Sequence, residues 1–407
     1  MLLIMDIVVK RKEANLLSDR WALVYGRRKV GKTFMLKRFY SWDYFILVGR
    51  DGTLWVEGAD IEKFSNIEDF IRFVIRSLRM GKRVVIDEFQ RLPDYVLERI
   101  STTHPSGILI LSGSSMRVVK DIFGTKSPLL GLIEEHPVGL INPQDMIKSL
   151  YSKKFLDYVV YLRDPWLIPL MNGDSILKDL YRVMTITPST IPSLVGEIFR
   201  EEDRRLTSTY EGIIKSIGSG YGKPSDISSI LYSRGLIPKD SASGVVPYIK
   251  NLVKMGILKE VKLYGKKGII YRMVSPIFSV FYYLSDKYEM EYSRPSFEIM
   301  KENIMRIHSL CYEDFVAEVI ADILGGYLRY SHDPEIDGII VDRKEKPIAV
   351  VEVKYGKIGR NDISKFVDKT ENIRGKRIIV AKNRIDYKDV TVLTPDKFKN
   401  TVMRWKI

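Results

Sequence analysis

The amino-acid sequence predicts a multi-domain protein of the α/β class. Its 407 residues exceed the size of one ordinary domain, so we expect several compact units, each with its own core. A glycine-rich segment at residues 26–33 lies between a predicted strand and a predicted helix, and two apolar runs end in acidic residues at Asp87 and Glu352. Strands that alternate with helices and present polar groups at their carboxyl ends are typical of sheets covered by helices.

The first unit contains a phosphate-binding loop. Residues 26–33 read GRRKVGKT and fit the pattern GxxxxGK[ST], between a predicted strand at 21–25 and a predicted helix at 34–39. This context directs backbone N–H groups and the positive end of a helix at an anion. We therefore expect Lys32 to bind the β and γ phosphates of ATP and Thr33 to bind Mg²⁺, with a purely structural glycine turn as the alternative. The remaining residues expected to line the nucleotide are Gly26, Arg27, Arg28, Lys29, Val30 and Gly31.

An acidic strand end supports this interpretation. The apolar run 84–86 ends in Asp87 and Glu88, as expected for a buried parallel strand that presents carboxylates where open α/β sheets bind ligands. Asp87 is predicted to hold Mg²⁺, and Glu88 is predicted to polarise the water that attacks the γ phosphate. Further elements are predicted as a strand at 44–48, a helix at 67–78 and a strand at 107–111.

Three segments of the chain resemble the archaeal ATPase branch of the AAA-related STAND NTPases. They read GRRKVGKT, VVIDEFQ and ILILSGSS and occur in this order. The resemblance implies a P-loop ATPase core over residues 1–141 and a helical lid over residues 142–205. It also implies that a serine after the third segment, Ser112 or Ser114, senses the γ phosphate.

One position departs from the pattern of that family. Its Gly-Arg pair after a Ser-Pro-Leu stretch is replaced here by a Leu-rich stretch that ends at Gly131-Leu132. If that arginine neutralises charge in the transition state, hydrolysis here is slow or uses another cation. The candidates are Arg117, Arg204 and Arg205, for each of which an ordinary solvated charge is the alternative.

Residues 206–290 predict a winged helix. Helices are expected at 210–217, 224–231 and 246–255, followed by strands at 257–263 and 269–274. Pro247 would then lie in the first helical turn, where a missing N–H costs no hydrogen bond. In this fold the third helix enters the major groove of DNA and the hairpin tip contacts phosphate. The expected phosphate contacts are Lys250, Lys254, Lys266 and Lys267, with Tyr264 available for stacking; docking of a protein is the alternative.

Residues 291–407 contain a second set of chemical groups. A polar turn centred between Lys344 and Glu345 would set Asp337 opposite Glu352 on an antiparallel pair, with Lys354 on the same face. Two facing carboxylates repel unless a cation such as Mg²⁺ lies between them, and a bound Mg²⁺ ion activates water for attack on a phosphodiester. Ordinary charges on exposed strands are the alternative.

This arrangement resembles the core of PD-(D/E)XK nucleases, in which a glutamate from the preceding helix often completes the metal site. The helix predicted at 312–324 makes Glu313 the best match and Glu318 the second. The same core is expected to include a helix at 362–370 and strands at 377–381 and 390–393. Such a domain can also keep the fold and lose cleavage.

Composition indicates which partners and which cellular compartment to expect for the protein. Lys and Arg outnumber Asp and Glu by 65 to 51, which gives a net charge of +14 and favours a polyanionic partner such as DNA, with an ordinary basic surface as the alternative. The single cysteine, Cys311, excludes a disulfide within the chain and indicates a reducing compartment. The apolar start at 1–9 is too short for a signal peptide, and charged Arg272 interrupts the longest apolar run, so a cytoplasmic protein without a membrane anchor is expected.

These features predict an ATP-binding and ATP-hydrolysing DNA-associated protein. Its P-loop ATPase would control a winged helix and a Mg²⁺-dependent nuclease-like domain, and a homo-oligomer or a protein partner stays open. The alternative is an ATP-dependent signalling or regulatory switch with an inactive nuclease fold, which binds DNA or protein partners.

Overall fold

The structure is a computed structural model of the full chain. It describes residues 7–60, 63–64, 66–102, 106–114, 129, 131–150, 156–202, 204–290 and 292–404. These residues form a seven-stranded sheet, a helical segment, a two-stranded hairpin and a five-stranded sheet along the chain.

The seven-stranded sheet contains the phosphate-binding loop. Its strands are β1 Ala22–Tyr25, β2 Tyr44–Val48, β3 Leu54–Glu57, β4 Lys63–Phe64, β5 Arg83–Asp87, β6 Ile108–Gly113 and β7 Glu134–Pro137. They lie in the order β4-β3-β2-β5-β6-β1-β7, in which β2, β5, β6, β1 and β7 are parallel and β3 and β4 are antiparallel to their neighbours. The carboxyl ends of β1, β6 and β5 therefore lie side by side at one edge of the sheet.

Helices cover both faces of this sheet. They are α1 Lys32–Phe39, α2 Ile67–Arg79 and α3 Asp94–Ser101. Alternate side chains of β5 point to opposite faces: Ile86 packs with Val74 of α2, whereas Val85 packs with Met35 of α1. The predicted strands and helices of this region are confirmed to within about two residues. The sequence patterns did not indicate the short elements β3, β4, β7 and α3.

A helical segment follows the sheet. Its elements are α4 Pro143–Ser149, α5 Leu156–Leu162, the 3₁₀ helix Pro165–Leu170, α6 Ile176–Ile186 and α7 Thr190–Glu201. Asn142 caps α4 by accepting a hydrogen bond from the backbone N–H of Gln144, and Pro143 occupies the first turn, where its missing N–H costs nothing. The helices expected after residue 142 are thus present.

Three helices and a hairpin come next. They are α8 Ser208–Gly218, α9 Pro224–Ser233, α10 Ala242–Lys254, β8 Leu258–Lys262 and β9 Ile269–Met273. The third helix begins four residues before its predicted start, so the prediction that Pro247 lies in the first turn is wrong. Pro247 is inside α10 and exposed, and it leaves the carbonyl of exposed Ser243 without its helical N–H donor. The cost is limited because water reaches this face of the helix.

The last part of the chain forms the five-stranded sheet. Its helices are α11 Pro276–Tyr288, α12 Phe297–Ile323, α13 Arg360–Lys369 and α14 Pro395–Arg404, and its strands are β10 Tyr327–His332, β11 Glu335–Val341, β12 Pro347–Val353, β13 Lys376–Val380 and β14 Val390–Leu393. The strands follow chain order across the sheet. β10, β11 and β12 are antiparallel, whereas β12, β13 and β14 are parallel. Helix α12 has 27 residues and is twice as long as the helix predicted at 312–324.

One continuous apolar core joins the helical segment, the three-helix unit and the five-stranded sheet. It includes Val159 of α5, Ile213 of α8, Phe281 of α11 and Val351 of β12. Burial of Cys311 in the same core confirms its predicted role in packing. No helix within the described ranges is long and apolar enough to cross a membrane.

Candidate active sites

The phosphate-binding loop is shaped by two glycines. A Cβ atom on Gly26 would lie 1.9 Å from the carbonyl oxygen of Val138, so only glycine fits there. Gly31 precedes α1 in the left-handed conformation, with φ of 89°, which glycine adopts without strain. Between them, buried Val30 anchors the loop in the core, and Arg11 donates a hydrogen bond of 2.6 Å to its carbonyl oxygen. The loop thus ends at the N-terminus of a helix, which favours anions.

Lys32, Thr33 and Asp87 meet at this helix N-terminus. The Lys32 side chain is buried, which lowers its pKa to about 8, and its Nζ donates to the carbonyl oxygens of Gly26 and Arg27 at 2.6 and 3.1 Å. The Thr33 hydroxyl donates a 2.6 Å hydrogen bond to the buried carboxylate of Asp87, the last residue of β5. The predicted phosphate cation and the two predicted magnesium ligands therefore lie in one place.

Glu88, the predicted base, is held by cations in the structure. It follows β5 with a positive φ of 59°, and its Oε2 accepts from Gln90 and lies 2.9 Å from a guanidinium nitrogen of Arg91. The Arg28 guanidinium lies 3.9 Å from the same oxygen. Polarising a water molecule requires this carboxylate to leave some of these partners.

The two candidate phosphate-sensing serines differ in their surroundings. Ser112 is fully buried, and its hydroxyl has no hydrogen-bond partner among the residues that the structure describes. Ser114 accepts a hydrogen bond from Gln90 at 3.2 Å and donates one of 2.7 Å to Glu201 of α7. Because Gln90 also contacts Glu88, Ser114 belongs to the polar network of this site and is the better of the two candidates.

The five-stranded sheet brings the second predicted set together. Gly338 pairs with Val351 and Ile339 with Val350, so the next pair in this register is Asp337 and Glu352, as predicted. Lys354 Nζ lies 2.9 Å from Glu352 Oε1. Burial and the nearby Glu352 carboxylate raise the pKa of Asp337 to about 6. Burial and the Asp337 carboxylate raise the pKa of Glu313, a residue of α12, to about 8.

Three features of this second site differ from the sequence expectation. Glu318, the second-choice glutamate, forms ion pairs with Lys259 and Arg163. Lys369 of α13, which the sequence did not indicate, lies 2.6 Å from Glu352 Oε2. Within the described ranges, no group of three or more His, Cys, Asp or Glu side chains is arranged to hold a metal ion, and Glu352 is paired with two lysines.

Comparison with known proteins identifies part of the chain. Residues 18–128 match the family described as "AAA domain". This segment is an AAA domain. No curated protein sequence matches the chain.

Solved structures that match the chain include two proteins of Aeropyrum pernix. The ORC1 protein in complex with DNA is 13% identical, with a TM-score of 0.31 over 70% of this chain and 94% of that chain. The ORC2 protein in ADPNP–ADP complexes is 13% identical, with a TM-score of 0.38 over 76% of this chain and 98% of that chain.

ATP and Mg²⁺ are the cofactors of the AAA domain, and its residues fit them. The Thr33 hydroxyl and the Asp87 carboxylate are oxygen donors, which Mg²⁺ prefers. A pocket of about 670 Å³ opens beside the loop. Its apolar side includes Ile7, Val9 and the Pro165–Pro169 turn, which the sequence did not indicate as nucleotide contacts. The part of the apolar start that is described, Ile7 to Val9, thus lines this pocket.

The three candidate substitutes for the missing arginine stay predictions. Arg117 lies outside the described residues, and Arg204 and Arg205 are exposed beside α7. The guanidinium groups of Arg28 and Arg91 lie near Glu88 instead. Arg28 also bonds to Glu197 and Glu201 of α7, at 2.9 and 3.1 Å. In the sequence, this contact is indicated only by the spacing of Glu197 and Glu201, because residues four apart share one face of a helix.

The three-helix unit presents its predicted lysines to solvent. Lys250 and Lys254 are exposed on α10, and Lys266 and Lys267 are exposed at the hairpin tip. Tyr264 is half-buried against the core of the five-stranded sheet, and its N–H donates a 2.9 Å hydrogen bond to the carbonyl oxygen of Tyr330. The expectation that Tyr264 stacks on a base is therefore not supported, because packing against the sheet occupies the ring.

Proposed function

We propose that the protein is an ATP-hydrolysing, DNA-associated protein in which the AAA domain controls a winged helix and a Mg²⁺-dependent nuclease-like domain. The observation that carries this proposal is the presence of two carboxylate sites in one chain. One is Asp87 and Glu88 beside the phosphate-binding loop, where Thr33 contacts Asp87, and the other is the facing pair Asp337 and Glu352 beside Lys354.

In the ATPase step, Lys32 would bind the β and γ phosphates, and Thr33 and Asp87 would hold Mg²⁺. A bound Mg²⁺ ion neutralises charge on the phosphates. Glu88 accepts a proton from the attacking water once its contacts with Arg28 and Arg91 are loosened. Arg28 and Arg91 would then face the developing negative charge, which is the role of the family arginine replaced by Leu132 if that arginine neutralises charge in the transition state.

For DNA, the proposal rests on charge and exposure. Residues 206–290 carry 12 Lys or Arg and 6 Asp or Glu, and the four exposed lysines of α10 and the hairpin tip share this unit. Lysines on a helix and on a neighbouring hairpin tip can bind the phosphates on the two sides of a groove. We assign the winged helix to residues 206–290, between a lid at 142–205 and the nuclease-like domain at 291–407, after an ATPase core at 1–141.

Helix α5 supports the coupling of the two sites. Asp164, just after this helix, lies 2.5 Å from the guanidinium of Arg27 in the phosphate-binding loop. Asp157, near its start, accepts a 2.6 Å hydrogen bond from the hydroxyl of Tyr355, the neighbour of Lys354. One short helix of the lid thus contacts both the loop that binds ATP and the strand end that carries the second site.

The second candidate function is an ATP-dependent regulatory switch with a silent nuclease fold. It is favoured by the ion pairs of Glu352 with Lys354 and Lys369, which neutralise the carboxylate without a metal. In this case the same conformational coupling would alter binding of DNA or of a protein and would cut nothing. The two functions differ only in whether Glu352 exchanges a lysine for a metal ion.

A nuclease assay separates the two functions. Wild type and Glu352→Ala are incubated with linear, branched and single-stranded DNA, with Mg²⁺ or Mn²⁺ and with or without ATP. The proposal expects metal-dependent cleavage that Glu352→Ala abolishes and that exposed Glu371→Ala, the matched control, retains. Cleavage that persists in Glu352→Ala would remove this site from the reaction, and no cleavage by wild type would favour the switch.

Calorimetry tests the ATP site separately. Lys32→Ala is expected to lose ATP binding, because the cation at the β and γ phosphates is removed. Lys37→Ala in the same helix is the control, since Lys37 is exposed and pairs with Glu57. Equal ATP affinity in wild type and Lys32→Ala would contradict the assignment of the loop.

A further inference from the structure

Helix α7 of the lid places two carboxylates against the phosphate-binding loop. Glu197 Oε1 lies 2.9 Å from one guanidinium nitrogen of Arg28, and Glu201 Oε1 lies 3.1 Å from another. About a fifth of each of these three side chains is exposed. Because the two glutamates are one helical turn apart, a single face of α7 supplies both, and the Arg28 guanidinium is bound on two edges.

The same helix also occupies the polar end of β6. The Ser114 hydroxyl donates a 2.7 Å hydrogen bond to Oε1 of Glu201, the oxygen that also bonds to Arg28. Strand β6 lies between β1, which leads into the loop, and β5, which ends in Asp87. Ser114 is therefore on the sheet edge where the phosphates are expected, and one carboxylate oxygen is shared by a strand-end hydroxyl and a loop arginine.

A hydroxyl and a guanidinium that converge on one anionic oxygen form a suitable binding arrangement for a terminal phosphate. Arginine binds carboxylates and phosphates with the same forked geometry. The contact differs from an ordinary surface ion pair because all its members are largely buried and Arg28 has several acidic partners. A phosphate placed on Arg28 and Ser114 would also repel the Glu197 and Glu201 carboxylates at this short range.

We propose that Glu201, with Glu197, takes the place of the γ phosphate on Arg28 and Ser114. The lid is then closed on the loop by its own carboxylates, and a nucleoside triphosphate displaces them. Arg28 becomes a γ-phosphate ligand, and α7 is released when ATP binds but not when ADP binds. This inference deepens the proposed function at the ATP site and rests on ATP binding there, but it is independent of the nuclease-like domain.

Calorimetry with ATP and ADP, each with Mg²⁺, tests the competition. The double variant Glu197→Gln/Glu201→Gln is expected to bind ATP about tenfold more tightly than wild type, because the competing anions are gone. Its affinity for ADP is expected to stay within about twofold. Arg28→Ala is expected to bind ATP about tenfold more weakly, again with little change for ADP. The matched control, Asp174→Asn/Glu211→Gln, removes two exposed acidic charges elsewhere and is expected to bind both nucleotides as wild type does.

Hydrogen exchange gives a readout that does not depend on affinity. In wild type, ATP is expected to speed exchange of the backbone amides of α7, whereas ADP leaves it unchanged. In the Glu197→Gln/Glu201→Gln variant, these amides are expected to exchange fast without any nucleotide. Circular dichroism checks that each variant is folded.

Two results would overturn the inference and are distinguishable from each other. If wild type binds ATP but the double glutamine variant binds it no more tightly than the control, the carboxylates do not compete with the γ phosphate. If wild type binds neither nucleotide, the ATP site itself is wrong and the inference is lost with it. In the first case the proposed ATPase function stands.

Discussion

The buried ion pair between Arg27 and Asp164 anchors the phosphate-binding loop to the lid. The guanidinium nitrogen of Arg27 lies 2.5 Å from Asp164 Oδ2, and their side chains are 8% and 1% exposed. The Ser275 hydroxyl donates to the same oxygen at 2.5 Å, and the guanidinium lies 5.2 Å from the ring centre of Phe278. The loop is thus tied through Asp164 to the N-terminus of α11.

Removing only the negative partner is expected to be costly. Asp164→Asn keeps the shape of the side chain but leaves the Arg27 charge buried without its partner, which destabilises a protein by about 3–5 kcal/mol. Arg27→Met leaves Asp164 charged with only the Ser275 hydroxyl and is expected to cost a similar amount. Arg27→Met/Asp164→Asn removes both charges and is expected to be less destabilised than either single variant.

Urea unfolding followed by circular dichroism measures these free energies, and the double variant completes a mutant cycle. The expected coupling between the two positions is at least about 2 kcal/mol. If Asp164→Asn unfolds at the same urea concentration as wild type, the pair does not form in solution. If the double variant is as unstable as the two single changes combined, packing and not charge explains their effects.

Three further predictions concern catalysis, pH and DNA. Glu88→Gln is expected to bind ATP and to hydrolyse it about 10²–10⁴-fold more slowly, because a general base is lost; wild-type turnover in this variant would remove Glu88 from that role. Burial and the nearby Lys382 charge lower the pKa of His308 to about 3. Because of His308, the folded state binds fewer protons than the unfolded state between about pH 3 and pH 6.5, and the contribution of this residue to stability should fall by roughly 2 kcal/mol between pH 7.5 and pH 5. The raised pKa values of Glu313 and Asp337 act in the opposite direction, so urea unfolding should show the effect as a difference between wild type and His308→Gln that His136→Gln does not reproduce; equal pH dependence in wild type and His308→Gln would contradict it. Replacing the four exposed lysines of α10 and the hairpin tip by Gln should reduce the slope of log affinity for duplex DNA against log salt by about 3–4, and an unchanged slope would favour a protein-docking role.

The sequence predicted the buried strands of the AAA domain well, because apolar runs that end in polar residues leave few alternatives. The short edge elements β3, β4 and β7 have no such runs, and pairing with their neighbours defines them. The AAA domain match covers residues 18–128 and includes the loop, Asp87 and Glu88. The assignment of Glu88 as base and the domain boundaries stay predictions.

The facing carboxylates Asp337 and Glu352 were predicted by counting residues outward from the turn. The structure keeps this pairing register in β11 and β12 although the turn itself is irregular. Glu345 adopts a left-handed φ of 60°, and Val341 pairs with Pro347, which shifts the register by one residue at the hairpin end. The register shift between Ile340 and Val341 compensates for this displacement. Gly338 therefore pairs with Val351, as it would after a regular two-residue turn. Ile339 and Ile340 are buried on opposite faces of the sheet, so apolar burial alone does not choose the register, and the turn together with its register shift sets it.

Helical geometry explains why Glu313 and Glu318 have different partners, and packing between elements explains why Lys369 was missed. Five residues along α12 turn the side chain by roughly 140°, so Glu318 points away from Glu313 and meets Lys259 of the hairpin. Lys369 reaches Glu352 only because α13 packs across the sheet, a tertiary contact without a local sequence signal. Sequence patterns within the hairpin were therefore enough to predict that Asp337 faces Glu352. Contacts between separate elements, such as that of Lys369, are seen only in the structure.

The same contacts between elements connect the ATP site to the rest of the molecule. Helix α5 rises about 1.5 Å per residue, so Asp157 and Asp164 are separated by roughly 10 Å. Asp164 holds the phosphate-binding loop, and Asp157 holds Tyr355 beside the second site; burial raises the pKa of Asp157, and the Tyr355 hydroxyl opposes that rise. A rigid two-turn helix with a buried polar bond at each end transmits displacement better than exposed loops do, because moving one end breaks a costly bond unless the other end follows. Release of α7 by ATP would therefore reach the second site through α5 and the continuous apolar core around it.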